Sequence, residues 1–446
     1  MNDSIGGKRI TRRNFIKYSL YTCISAAGVP ALVACAVNPV TGEKQFMMVT
    51  REQEISIDQG QSPHQFSADY GVYNNFKLNK YIGSVGKKLT KNVHRPDMPY
   101  SFRCVNATYI NAYAFPGGSI AVTRGILLEL DNEAELASLL GHELGHVNAR
   151  HSAQQMSKGT LTSLVVGGLA MAAGSKSDSY GKIAQQLGML GQGMLLSYYS
   201  RDNEREADSL GNLYMVKAGY SSRGFVGLMD MLNSLHKGKA SAAQILFSTH
   251  PMGSERYETA VKKSKNQYKY TEKYPLNRDK YMDSIASLRK LKPAIKLMQE
   301  GDAHMGKKQY IQAQSSYKNA IKKADRDYTA HMMMAKCLLM QEKPQKALRY
   351  AKNASKLYPS EAQAYHVSGM ANIELKAFGK AYKQFGEYDN KLPGNPHIVF
   401  FKGYCKEGMN KIESAADFYT SYLEKVQQGK YAKHAYDRLK KWGYLK

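Results

Sequence analysis

Cysteine is scarce in this chain, five in 446 residues, and its placement excludes a disulfide-built scaffold. Cys23 and Cys35 fall in the first 35 residues. Cys104, Cys337 and Cys405 remain, an odd number, and none lies in a metal-binding pair. Long apolar runs are missing too. Tyr18 to Ala34 and Leu161 to Gly174 both fall short of the roughly 20 apolar residues that span a bilayer, which disfavours a membrane-spanning protein. Acidic residues are in deficit, with 37 Asp and Glu against 63 Lys and Arg and a net charge of +26. A chain with that balance meets anionic partners or simply carries a solvated basic surface.

The amino terminus narrows these options. Thr11-Arg12-Arg13-Asn14-Phe15-Ile16-Lys17 has the form of a twin-arginine export signal, and Tyr18 to Ala34 supplies the apolar stretch behind it. The stretch closes on Leu32-Val33-Ala34-Cys35, which resembles a bacterial lipobox with lipidation and cleavage at Cys35. An uncleaved anchor is the other reading. Either one puts the body of the protein outside the cytoplasm, so nucleic acid is not an expected partner despite the basic charge. Anionic head groups, lipopolysaccharide or acidic protein segments are.

The most informative stretch is Gly141-His142-Glu143-Leu144-Gly145-His146-Val147. Leu127, Leu130, Ala134, Leu136, Ala137, Leu139, Leu140 and Leu144 recur at three- and four-residue steps, the spacing of a helix. On a helix His142 and His146 share one face and aim at one point. Two neutral imidazoles suit Zn²⁺, which in a catalytic site takes a third protein ligand and a water. Glu143 stands where it can take a proton from that water. A metzincin would continue with glycine at 149 and histidine at 152; Ala149 and Ser152 exclude it. A glutamate zincin takes its third ligand from a second helix. In Asn203-Glu204-Arg205-Glu206-Ala207-Asp208, Glu204 and Asp208 lie one turn apart, so Glu204 can ligate while Asp208 accepts the second ring N–H of a ligand histidine.

Together with Thr249-His250-Pro251 and with Asn111-Ala112-Tyr113-Ala114-Phe115-Pro116-Gly117-Gly118, these motifs resemble the BepA/LoiP/HtpX-like zinc metallopeptidases over roughly residues 36 to 290. The resemblance implies one zinc per chain held by His142, His146 and Glu204, with Glu143 as base. It implies that His250 occupies the open zinc position in a latent state and donates to the oxyanion in an open one, and that Arg256 brings positive charge to the cleft. It also implies a strand along the cleft, Asn111, Ala112, Tyr113 and Ala114, whose edge an extended substrate joins. A hairpin without a ligand is the plainer reading of that strand, and Asn111 either polarises the scissile carbonyl or holds the turn.

Residues 36 to 110 read as a helical lead-in with a turn at Pro39, Thr41 and Gly42. Tyr100 to Cys104 and Ile120 to Thr123 read as strands. Residues 257 to 292 read as closing helices and a connector.

From Ala294 a 34-residue period appears. Gly301, Ala335, Gly369 and Gly403 hold one position, and Ala313, Ala347, Ala381 and Ala415 another. Tyr317, Phe385 and Tyr419 hold a third, which Ala351 interrupts. This is the tetratricopeptide pattern, four helix pairs and a tail. The expected fold is therefore mainly α: a zincin-like metalloprotease domain with a small β element at 36–292, after the signal at 1–35, and an all-α solenoid at 293–446. The expected function is a zinc endopeptidase of the Gram-negative periplasm, lipid-anchored to the outer membrane. By the resemblance it acts on unfolded or misassembled outer-membrane proteins, with the repeats docking an assembly partner. A latent-site chaperone or adaptor is the alternative.

Overall fold

The computed structural model describes residues 35–166, 199–238 and 240–445. The expected export signal and the apolar stretch to Ala34 lie outside the described residues, as do Met189 to Leu196 and the part of Leu161 to Gly174 that follows Val166. Among the described residues no helix is long and apolar enough to cross a membrane.

The chain divides into two compact units, one from Ala34 to Gln341 and one containing Glu342 to Lys446. The first opens with a hairpin, β1 (Cys35–Val37) paired antiparallel with β2 (Lys44–Phe46). The expected turn at Pro39 to Gly42 is the loop of that hairpin, which a purely helical lead-in did not include. Gly42 supplies the positive φ of 73° that closes it. Helices α1 (Arg51–Ala68) and α2 (Phe76–Thr90) follow. Then come β3 (Ser101–Val105), β4 (Ala112–Ala114) and β5 (Ser119–Thr123) in the order β3-β5-β4. β3 runs parallel to β5 and β4 antiparallel to it, with Ala112 opposite Val122. Among the described residues β4 has a neighbour on one side only, so its other edge is free of strand pairing.

After the short α3 (Arg124–Leu127), helix α4 (Glu133–Asn148) carries the histidine motif. Asn132 caps it, accepting from Glu135 N at 3.0 Å, and Glu133 and Glu135 place negative charge at the positive end of the helix dipole. Glu133 is buried and gathers Tyr81 Oη at 2.9 Å, Tyr220 Oη at 3.0 Å and Lys280 Nζ at 2.7 Å, tying the start of α4 to three other parts of the unit. Next come α5 (His151–Val166), α6 (Arg201–Lys217), α7 (Arg223–Lys237), α8 (Gln244–Thr249) and α9 (Ser254–Lys265). The connector holds α10 (Arg278–Ser284) and α11 (Ala286–Lys290).

The helix pairs then run as the period predicts: α12 (Lys292–Gly306), α13 (Tyr310–Lys323), α14 (Tyr328–Met340), α15 (Pro344–Leu357), α16 (Gln363–Glu374), α17 (Phe378–Lys391), α18 (Pro396–Gly408), α19 (Ile412–Leu423) and the tail α20 (Lys430–Lys441). The small residues at the first repeat position have a direct cause. A Cβ on Gly301, Gly369 or Gly403 would meet the ring of Tyr317, Phe385 or Tyr419 at 2.3, 2.6 or 2.9 Å. In the repeat where Ala351 stands at the aromatic position, Ala335 stands at the small-residue position.

The first unit does not end where the repeats begin. Arg124, fully buried, pairs with Asp327 at 2.5 Å and donates to Asn106 O at 2.9 Å, while Gln299 Nε2 donates to Thr108 O at 2.7 Å. Helices α12 to α14 are thereby fastened to the sheet. Cys104, Cys337 and Cys405 are buried free thiols.

Candidate metal centre

Two helices cross closely enough to share a site because the sequence removes side chains where they touch. A Cβ on Gly141 would lie 2.8 Å from Gly211 O, and one on Gly145 would lie 2.8 Å from Ala207 Cα and O. The glycines of the histidine motif thus let α6 lie against α4. Ser200 caps α6, accepting from Asn203 N at 3.1 Å while Asn203 Oδ1 accepts from Ser200 N at 3.2 Å, and this fixes where Glu204 stands. Gly145→Ala is expected to push α6 outward, destabilise the protein by about 1–3 kcal/mol and weaken zinc binding. Thermal unfolding combined with metal titration checks both. An alanine variant with wild-type metal affinity would mean that the contact does not set the spacing.

His142, His146, Glu204 and His250 converge, with one donor atom from each within 4.8 Å of the others. His142 Nε2 is 3.1 Å from His146 Nε2 and 3.4 Å from His250 Nδ1. Glu204 Oε1 is 3.0 Å from His250 Nδ1 and 3.4 Å from His146 Nε2. A tetrahedral zinc with ligands at about 2.0–2.1 Å has donor–donor edges of about 3.3–3.4 Å. The observed separations bracket that length, so the residues fit the ion. The chemistry of the donor set fits as well. Burial holds His146 well below the usual imidazole range, keeping it neutral with a lone pair. Burial alone would push Glu204 up, but the imidazoles of His250 and His142 beside it keep its carboxyl well below the usual range, so it is an anion.

The surrounding shell orients the donors. His142 Nδ1 lies 2.9 Å from Asp208 Oδ1, which leaves Nε2 to face the centre. His146 Nδ1 lies 2.9 Å from His151 Nδ1, and His151 Nε2 lies 3.1 Å from Glu206 Oε2. With His146 Nε2 turned inward, this network assigns the proton to its Nδ1 and passes the orientation on to a carboxylate. Neither His151 nor Glu206 belongs to the expected set. Tyr199, also unanticipated, stacks on His146 with ring centroids 3.7 Å apart.

Arg256 takes a different position from the one expected of it. Its guanidinium holds Asp208 through Nε and Nη2, each at 2.7 Å, lies 2.7 Å from Glu204 Oε2 and donates to Pro251 O at 3.0 Å. Its charge is therefore paired with the carboxylates of Asp208 and Glu204.

Glu143 is buried, and the loss of solvent raises its carboxyl above the usual range. Its Oε1 lies 3.9 Å from His250 Nε2, and its Oε2 has no hydrogen-bond partner among the described residues. On the strand side, Ala114, Phe115 and Pro116 line one shallow depression with His146 and Tyr199. The end of β4 thus reaches the depression that His146 also lines. Tyr113 is anchored through its hydroxyl to Asp69 at 2.5 Å, and Asn111 is fully buried.

Peptidase family M48 matches residues 77–264 of this chain. The putative beta-barrel assembly-enhancing protease of Vibrio cholerae is 30% identical over 248 residues, 53% of this chain and 50% of that one. Metalloprotease YcaL of Escherichia coli is 31% identical over 180 residues, 40% of this chain and 67% of its own length. Metalloprotease LoiP of Escherichia coli is 30% identical over 184 residues, 41% of this chain and 69% of its own. The chain thus spans about half the length of the Vibrio relative.

Proposed function

This chain belongs to peptidase family M48, and from that premise we propose that it is a zinc endopeptidase of the bacterial envelope acting on unfolded or misassembled proteins. The observation that carries the reading is the convergence of His142, His146, Glu204 and His250 beside a buried, unpaired Glu143 carboxylate oxygen. His142, His146 and Glu204 would hold the zinc, and His250 would be a fourth ligand. A zinc ion bound there supplies a Lewis acid that polarises a carbonyl and acidifies water.

The chain's own residues do the rest. Glu143, kept basic by burial, takes a proton from the attacking water and delivers it to the leaving amine. Asp208, His151 and Glu206 hold the two imidazoles in the ligating tautomer. The free edge of β4, with Asn111, Ala112, Tyr113 and Ala114, accepts an extended chain by backbone hydrogen bonds that do not depend on its sequence. That suits a substrate recognised by being unfolded.

His250 acts as the switch: ligand when closed, donor to the tetrahedral oxyanion when its loop withdraws. His250→Ala is expected to keep zinc near one equivalent while replacing one imidazole by solvent. X-ray absorption at the zinc edge reads this as a loss of nitrogen scattering; an unchanged spectrum removes the residue from the ligand set.

The relatives named as beta-barrel assembly-enhancing proteases support outer-membrane proteins as the substrate class. In this reading residues 293–446 dock an assembly partner, and Cys35 carries a lipid anchor after twin-arginine export to the periplasm. The second reading, a latent-site adaptor, draws on the burial of all four donors. Complementation separates the two. In a strain lacking the gene, a Glu143→Gln variant fails to restore β-barrel assembly if cleavage is the function and restores it if the protein is an adaptor.

A further inference from the structure

We propose that the outward face of α15 is an electrostatic contact for an anionic phospholipid surface. Lys346, Arg349, Lys352 and Lys356 follow at steps of three, three and four residues, and all four are exposed. At 100° per residue they cover an arc of about 120°, and from first to last they span about 15 Å. Ala347, Ala351 and Ala354, each fully buried, lie on the opposite side. The helix is therefore held with these four charges turned to solvent. It contains no aspartate or glutamate.

Three basic residues of the same unit do have carboxylate partners: Lys391 with Glu387 at 3.2 Å, Lys402 with Asp389 at 2.5 Å and Arg438 with Glu407 at 2.5 Å. On α15, among the described residues, none of the four has a carboxylate partner. One repeat later Lys380 and Lys383, also exposed, take the places of Lys346 and Arg349 against the buried Ala381. Like charges three and four residues apart on a helix repel. Among the described residues no carboxylate ion pair offsets that cost on α15, which points to an anion outside it.

The form of the face selects the class of anion. It is rich in lysine, whose ammonium is a point charge, where bidentate recognition of a single phosphate favours arginine. It lies along the outside of a helix whose one aromatic, Tyr350, falls outside the arc of the four charges, unlike the stacked platforms that hold bases. A diffuse layer of lipid head groups fits both features, each basic residue within a Debye length of the surface adding to the attraction. The availability of a membrane rests on the anchor reading above; the charge pattern does not.

The test uses the full chain and vesicles of phosphatidylcholine, with and without phosphatidylglycerol, in co-sedimentation at low and high salt. One variant replaces Lys346, Arg349, Lys352 and Lys356 by glutamine. A charge-matched control replaces Lys237, Lys273, Lys290 and Lys318, all exposed and each on a different segment. The wild type is expected to bind the anionic vesicles more tightly than the neutral ones, with the increment lost in high salt. The α15 variant is expected to lose at least about tenfold of that increment, and the control to keep it. Equal losses in both variants would reduce the effect to net charge and overturn the proposal. So would a wild type with no increment, or one whose α15 face retains duplex DNA but not vesicles. Binding to neutral vesicles reads the amino-terminal anchor separately and is expected to be the same in all three proteins.

Discussion

Replacing Glu143 by glutamine is expected to lower peptide-bond cleavage by about 10²–10⁴-fold, the range that a positioned general base contributes, while leaving zinc and fold intact. The structure separates these effects cleanly. Glu143 is not among the converging donors, so metal content should stay near one equivalent. Its Oε2 has no hydrogen-bond partner among the described residues, and the nearest histidine nitrogen lies 3.9 Å from Oε1. An isosteric amide therefore breaks no short contact. Burial already disfavours the carboxylate, so the neutral side chain should leave thermal stability unchanged or raise it. A variant that cleaves at a wild-type rate would take Glu143 out of the reaction. One that loses zinc or unfolds would make its role structural.

Arg256→Ala should act the other way, on stability and metal affinity first. The guanidinium sits between Asp208, held by two bonds of 2.7 Å, and Glu204 Oε2 at 2.7 Å, in a site where Arg256 is only 5% exposed. Asp208 owes its low pKa, against the upward push of burial, chiefly to that arginine. Truncation removes the chief counter-charge of the largely buried Asp208 and one of several partners of the buried Glu204, a change that costs about 3–5 kcal/mol. His142 also loses the fixed partner of its Nδ1, so zinc binding weakens by about 10- to 100-fold. Arg256→Lys should recover only part of the loss, because an ammonium cannot hold Asp208 with two parallel bonds. Calorimetry with and without added zinc checks this. A melting temperature within a degree or two of wild type would mean that the three groups do not carry full charge together.

Much of this site was legible because helical spacing is a local property. His142 with His146, and Glu204 with Asp208, follow from one-turn separations, and the excluded metzincin positions follow from Ala149 and Ser152. What escaped depends on breaks in that spacing. His151 comes five residues after His146, an offset that does not share a face on a continuous helix. It reaches His146 because Arg150, at a positive φ of 61°, ends one helix and redirects the chain into the next. Glu206 lies within the same motif as Glu204, but no pattern tells which of its carboxylates meets a histidine that far off the helical register. Arg256 was assigned by resemblance to the cleft, and only coordinates reveal that two carboxylates claim it first.

The fold shows the same division. The 34-residue period places the helix pairs, since Gly301, Gly369 and Gly403 each leave room for a particular ring. A period says where repeats begin, not what they pack on. The fastening of α12 to α14 onto the sheet rests on Arg124 and Asp327, which are 203 residues apart and leave no mark in any local pattern. The β1–β2 hairpin was missed for a related reason: three-residue strands are too short to show alternation.

Hydrolysis of a denatured protein by the purified chain, followed as zinc is stripped by a chelator and then returned stoichiometrically, tests the central claim most directly. The account predicts that cleavage disappears with the metal, returns with about one equivalent per chain, and stays absent in Glu143→Gln at every zinc level. Cleavage indifferent to chelation would contradict it. So would zinc bound at one equivalent without hydrolysis in either the wild type or His250→Ala.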